Sequence, residues 1–296
     1  LKENILEARD VHFTYSDGTA ALRGATMAIE RGKKIAVLGS NGAGKTTIFL
    51  HFNGILRPGR GQVLFNGRPV RYDHRSLMEL RRNVGIVFQD PDMQLFSASV
   101  VQEIAFGPLN LGLSREEVLR RVEAAMEATE ITGLKDKPTH LLSYGQKKRV
   151  CLAGVLAMEP QVLICDEPTA GLDPLHAGQV MELFDRINRQ GATVVLATHD
   201  VDLAYSWADY VYVMSCGTVV GEGLPGEVFC NEQLLRQSDL SRPWLVEVFE
   251  QLSRKGWLPE GLPLPRTKEQ LFNYLQEVKG NNVPGKPAVV YLFPRG

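Results

Sequence analysis

Two adjacent carboxylates close the apolar run Gln161-Val162-Leu163-Ile164-Cys165-Asp166-Glu167-Pro168, a costly ending for a buried strand unless a cation or a reaction uses them. Asp166 is placed to hold Mg²⁺ through water, and Glu167 to polarise an attacking water as a general base. Earlier, Gly39-Ser40-Asn41-Gly42-Ala43-Gly44-Lys45-Thr46 fits the pattern Gly-x-x-x-x-Gly-Lys-Ser/Thr, after one apolar run and ahead of Thr47-Ile48-Phe49-Leu50. Glycines let backbone N–H groups converge on phosphate oxygens, and a following helix presents its positive end to them. Lys45 then reaches the β- and γ-phosphates, with the Thr46 hydroxyl on Mg²⁺. A third run, Thr193-Val194-Val195-Leu196-Ala197-Thr198, ends at His199-Asp200. If it lies parallel to the others, His199 emerges at the same sheet edge, where it contacts the γ-phosphate and orients the water, while Asp200 caps the next helix.

The elements needed to position these groups are legible in the surrounding pattern. Lys34 to Gly39, Val84 to Phe88, Val162 to Asp166 and Thr193 to Ala197 are short, nearly continuous apolar runs separated by longer helical patterns, which predicts a largely parallel sheet covered on both faces. Ile5 to Phe13 alternates more, and Gln62-Val63-Leu64-Phe65 runs into the turn pair Asn66-Gly67, so an antiparallel β portion is expected beside the main sheet. Between about Ser114 and Glu159 the pattern is helical and charged, an inserted helical subdomain. From about Pro225 the composition shifts, and Thr267 with Gln270 has capping-box spacing ahead of a last helix.

The 296 residues, 44% of them hydrophobic, suffice for one large domain or one domain with a small appendage. Lys and Arg total 33 against 34 Asp and Glu, which gives no general affinity for nucleic acid or anionic lipid. The four cysteines are widely spaced, without zinc-site spacing; Cys165 and Cys216 sit in or after apolar runs and are expected as buried, reduced thiols, which suits a reducing cytosol. No apolar stretch reaches the roughly 20 residues that span a bilayer, and Leu1-Lys2-Glu3-Asn4 lacks a signal-peptide profile. A membrane role would therefore require a partner.

The phosphate loop alone leaves kinases, GTPases, helicases and ABC proteins open. Leu142-Ser143-Tyr144-Gly145-Gln146-Lys147-Lys148-Arg149 narrows the choice, because it resembles the ABC signature Leu-Ser-Gly-Gly-Gln at four of five positions, with Tyr144 in place of a glycine. Ser143 and Gln146 also form a capping-box pair at a helix start, an anion-binding end. Tyr15, the phosphate loop, Gln89, the signature, the acidic pair, Gly171-Leu172-Asp173 and His199 follow one another as in ABC nucleotide-binding domains, a resemblance that covers roughly residues 4 to 224. Asp173-Pro174 also reads as an N-cap and first-turn proline.

The resemblance implies an α/β fold: an ABC-type P-loop nucleotide-binding domain over residues 1–224, with a flanking antiparallel β portion, an inserted helical subdomain at about 91–160, and a small C-terminal accessory extension at 225–296. It implies that Tyr15 stacks on adenine and that Gln89 contacts Mg²⁺ and the attacking water. ATP then lies on Tyr15, on Gly39, Ser40, Asn41, Gly42, Ala43, Gly44, Lys45, Thr46 and Thr47, and on Ser143, Gly145 and Gln146 of a second subunit. Glu167, His199 and Gln89 become the catalytic set; Thr46, Gln89 and Asp166 become the Mg²⁺ ligands. One copy of each motif means that the second half comes from another chain, and a homodimer is the simplest arrangement.

Asp90-Pro91-Asp92-Met93-Gln94-Leu95-Phe96-Ser97-Ala98-Ser99-Val100, with Glu103 to Pro108, is similar to the ATPases of energy-coupling factor transporters, and Gly145 to Met158 is most similar to their cobalt branch. That implies an integral membrane coupling protein and a substrate-binding membrane component as partners, at the cytoplasmic face of the cell membrane. Cobalt is the expected cargo, with nickel as the alternative and a vitamin third. A soluble ABC ATPase acting on nucleic acid would need a long coiled coil, a second ATPase domain or a basic face, and none is evident. A non-catalytic regulator is disfavoured by the presence of both Glu167 and His199.

Overall fold

The apolar runs become adjacent parallel strands in the computed structural model, which describes residues 3–280. Leu1, Lys2 and the part of the 225–296 extension beyond 280 lie outside the described residues. The strands are β1 (Asn4–Thr14), β2 (Ala20–Glu30), β3 (Lys34–Leu38), β4 (Arg60–Phe65), β5 (Arg68–Pro69), β6 (Val84–Val87), β7 (Val162–Asp166), β8 (Thr193–Thr198), β9 (Tyr210–Ser215) and β10 (Thr218–Gly223). They form a four-stranded sheet, β2-β1-β4-β5, and a six-stranded sheet, β10-β9-β3-β8-β7-β6.

The small sheet is antiparallel throughout. Its β4–β5 turn uses Asn66 at φ 50 and Gly67 at φ 70, the paired left-handed residues that let a two-residue hairpin match strand twist. In the large sheet β9, β3, β8, β7 and β6 run parallel, and only the β10 edge strand is antiparallel. β6, β7 and β8 are buried at every position, as continuous apolar strands covered on both faces should be.

Helices α1 (Lys45–Phe52), α2 (His74–Asn83), α6 (Pro174–Arg189) and α7 (Val201–Trp207) belong to the α/β core, and α3 (Val100–Asn110), α4 (Arg115–Ala128) and α5 (Tyr144–Leu156) make the inserted helical portion. Ile48, Phe49 and Phe52 of α1 share one core with Leu6 and Val11 of the small sheet and Val37 and Ile164 of the large one, so the phosphate-loop helix packs with both sheets. Tyr212 of β9 adds a polar tie: its hydroxyl donates to Ala28 O at 2.5 Å and accepts from Ala28 N at 3.2 Å. The inserted helices have a core of their own, with Ile104, Val122, Met126, Leu142 and Val150 among its members.

The chain divides into two units, the first ending at Ser241 and the second starting at Arg242. The compositional shift at 225 falls inside the first unit: α8 (Pro225–Cys230) packs beside α7, β9 and β10, and α9 (Glu232–Gln237) follows it. The second unit contains α10 (Trp244–Arg254) and α11 (Lys268–Gly280), and Thr267 Oγ1 accepts from Gln270 N at 3.2 Å at the predicted helix start. Cys151 and Cys165 are buried free thiols, but Cys216 is exposed, against expectation. The apolar run ends one residue too soon to cover it, and Cys216 sits at φ 48 in the β9–β10 turn. Among the described residues no helix is long and apolar enough to cross a membrane.

Candidate active site

Strand register brings the chemistry-bearing residues to one edge. Leu38 pairs with Thr198, Asp166 with Ala197, and Val87 with Cys165, so β3, β8, β7 and β6 end nearly flush. The phosphate loop, His199, the acidic pair and Gln89 all leave the large sheet there, at the carboxyl ends where open α/β sheets bind ligands.

Between β3 and α1 the loop turns through Gly42 at φ 80 and Gly44 at φ 103. Gly44 is required twice over: its left-handed backbone disfavours any L side chain, and a Cβ there would stand 2.9 Å from Ala21 O of β2. Lys45 Nζ folds back along the loop, donating to Gly39 O at 2.6 Å and Ser40 O at 3.2 Å. Burial lowers its proton affinity, and the Glu167 and Asp166 charges oppose that loss. An ammonium held among carbonyls beside a helix N-terminus is ready to exchange them for phosphate oxygens.

Thr46 Oγ1 donates to Asp166 Oδ2. Asp166 is 3% exposed, and burial pushes its carboxyl above the ordinary range despite the Thr46 bond and the Lys45 and Lys148 charges. A buried carboxylate meeting a hydroxyl is an all-oxygen donor pair of the kind a hard divalent cation takes, so these residues fit Mg²⁺. Gln89, exposed beyond the end of β6, could add a third oxygen; its backbone O accepts from the Tyr144 hydroxyl at 3.1 Å.

Glu167 adopts φ 47, a left-handed conformation that a residue with a Cβ rarely keeps without support. Its side chain is 8% exposed and its Oε1 lies 2.8 Å from His199 Nδ1. The His199 side chain is 71% exposed, so its ring links the buried carboxylate to the open side of the site. Asp200 accepts from Leu203 N at 2.9 Å, capping α7 as its position predicts.

Tyr15 approaches from the small sheet, its hydroxyl 3.1 Å from Thr47 Oγ1 and its ring edge-on to Phe13. Ser143 and Gln146 form the reciprocal capping box at the start of α5, at 3.1 and 3.4 Å, and Gly145 lies in the same turn. The Ser143 and Gln146 side chains each accept from the other's backbone N–H rather than reaching the phosphate loop of this chain. Asp173 caps α6 through His176 N at 3.0 Å, with Pro174 in its first turn.

Lys148 is a residue that motif reading passes over. It is 6% exposed and its ammonium donates to Glu167 O at 2.7 Å and Ala170 O at 2.8 Å. The available signal is a lysine one turn before Cys151 and Leu152 on the buried face of α5.

A family profile described as ABC transporter matches residues 22–170. The energy-coupling factor transporter ATP-binding protein EcfA of Methanocaldococcus jannaschii is 48% identical over 275 residues, 92% of this chain and 99% of that protein. The solved structure of cbiO1 from Clostridium perfringens, described as part of the ABC transporter complex cbiONQ, is similar at TM-score 0.70 and 48% identity, over 84% of this chain and 100% of that one. A dimeric post-hydrolysis state of the ATP-binding cassette MJ0796, bound to ADP and Pi, is similar at TM-score 0.69 and 26% identity, over 74% of this chain and 98% of that one. With the flush strand ends and the ordered motifs, these likenesses settle the kinship: the chain belongs to the ABC transporter family, as an ATPase subunit of the energy-coupling factor type.

Proposed function

We propose that this chain powers cobalt uptake by hydrolysing ATP between two copies of itself, attached to membrane partners at the cytoplasmic face. The observation that carries the ATPase chemistry is the convergence of Lys45, Thr46, Asp166, Glu167 and His199 at one sheet edge. In this reading residues 1–224 are the nucleotide-binding domain, 91–160 its helical subdomain and 225–296 an accessory extension.

Lys45 leaves the Gly39 and Ser40 carbonyls to neutralise the β- and γ-phosphates, and the loop amides from Gly39 through Thr47 cradle them. Thr46, Asp166 and Gln89 hold Mg²⁺, which when bound supplies positive charge to the phosphate oxygens. Glu167 accepts a proton from the attacking water, and His199, anchored on Glu167 through Nδ1, steers the γ-phosphate and that water. Tyr15 carries adenine. Ser143, Gly145 and Gln146 of the second chain close the site, because their helix N-terminus attracts the nucleotide's negative charge. Binding draws the pair together, and hydrolysis removes the bridging charge and lets it reopen.

Support for membrane coupling comes from a groove of about 410 Å³ on α3, lined by Val101, Ala105, Phe106 and Leu109. Phe96 packs edge-on to Phe106 at 4.6 Å, yet both stay exposed, at 63% and 48%. An apolar helix of a membrane protein fits such a surface. The cargo follows the resemblance of Gly145 to Met158 to the cobalt branch; nickel is the second reading. Purifying the chain with its co-expressed membrane partners, reconstituting them in vesicles and measuring ATP-dependent ⁵⁷Co²⁺ and ⁶³Ni²⁺ uptake tests it. Cobalt uptake that nickel does not match is expected, and uptake of neither metal defeats the cargo assignment.

A further inference from the structure

Two side chains one turn apart on α5 reach into the catalytic loops of the same chain. Lys148 donates to the backbone oxygens of Glu167 and Ala170, while the Tyr144 ring covers its ammonium at 5.5 Å. The Tyr144 hydroxyl donates to Gln89 O, and the ring lies so close to Gly171 that a Cβ there would stand 2.8 Å from Cε1. Gly171, at φ 74, is therefore held to glycine by the tyrosine as well as by its backbone.

Glu167 is the residue that needs this bracing. Its left-handed backbone persists only if its neighbours over-determine it. Its N–H donates to Ala197 O at 3.0 Å, and its carbonyl takes both Lys148 and Ala170 N, the latter at 3.2 Å. Rotating the backbone toward the right-handed region would break the carbonyl bonds and swing the carboxylate away from His199. A buried ammonium is expensive where its bonds are not needed, and Lys148 makes two short ones to this single turn.

We propose that Lys148 is a positioning residue for the Glu167 carboxylate, with Tyr144 as the cover that keeps its ammonium on the turn. Because Lys148 and the signature share α5, movement of the signature helix reaches the general base through one side chain. The inference rests on the ATPase reading above and concerns geometry, since Lys148 touches neither the phosphate loop nor the carboxylate oxygens.

The test compares Lys148→Met, Lys148→Arg, Lys148→Gln and Glu167→Gln with the wild type in the full-length chain, measuring kcat and KM for MgATP and the melting temperature. Lys148→Met should lower kcat by between about tenfold and about a hundredfold, the range set by small misplacements of a catalytic group, with KM within about twofold. Lys148→Arg should restore most of kcat. Lys148→Gln, with donors of its own, should fall between; it carries the test if the methionine variant does not fold. Two results overturn the inference: Lys148→Met at wild-type kcat, or kcat and KM deteriorating together with melting and no rescue by arginine. If Glu167→Gln is slow and Lys148→Met is fast, only this inference falls. If Glu167→Gln turns over normally, the general-base reading falls and takes the inference with it.

Discussion

Glu167→Gln keeps the shape of the side chain and removes its charge, so it separates the chemical step from binding. The carboxylate is nearly buried and touches His199, while the loop contacts of Lys45 and the Thr46–Asp166 bond do not pass through it. An amide cannot accept the proton of the attacking water, so the variant should lose the general-base contribution, about 10²- to 10⁴-fold in rate. At about 1.4 kcal/mol for each factor of ten, that raises the barrier by about 3–5 kcal/mol. Binding should survive, and with hydrolysis stalled the ATP-bound dimer should accumulate. Phosphate release at saturating MgATP, read beside size-exclusion chromatography with ATP, shows both effects. Turnover within about threefold of wild type would refute the assignment of the base. Slow turnover without any ATP-dependent dimer would refute the link between hydrolysis and reopening.

Further outcomes follow from the same geometry. Burial holds the Asp166 carboxyl above its unfolded range, so its contribution to stability is fully present below the unfolded value and is lost as pH rises through the folded one. Asp166→Asn, neutral at any pH, should therefore melt higher than nucleotide-free wild type at neutral pH, the gap shrinking toward acid, while MgATP turnover is lost; a lower melting temperature at neutral pH would contradict this. Tyr212→Phe removes the hydroxyl that serves Ala28 N–H and C=O, at a cost of about 1–3 kcal/mol and a few degrees in Tm. An unchanged thermal melt would show that water replaces it freely.

The parallel core was legible because its signal is local: continuous apolar runs ending in Gly39, Gln89, Asp166 and His199 mark both strand and edge. Flush strand ends then follow from a parallel sheet, and helix starts at Ser143, Asp173, Asp200 and Thr267 follow from capping chemistry within three residues. Contacts between distant segments were not legible. The Tyr144–Gln89 bond spans 55 positions and the Lys148–Glu167 bond 19, and neither leaves a periodicity to read. The exposure of Cys216 was not legible either, because an apolar strand says nothing of the turn that follows it. The composition change at 225 reflects the edge of the motif-bearing sequence, whereas α8 and α9 remain in the first unit through packing that residue usage does not encode.

On the proposed mechanism a working site needs the phosphate loop of one chain and the signature of another. Lys45→Ala disables the first; Gly145→Asp sets a negative charge in the first turn of α5 and disables the second, leaving the Ser143–Gln146 cap in place. Each variant alone has two broken sites per dimer, but a mixed dimer has one site in which both halves are intact. Random pairing of equal amounts makes about half of the dimers mixed, with one good site of two, so MgATP turnover should recover to about a quarter of wild type. A mixture as inactive as its components would contradict the shared site and with it the account.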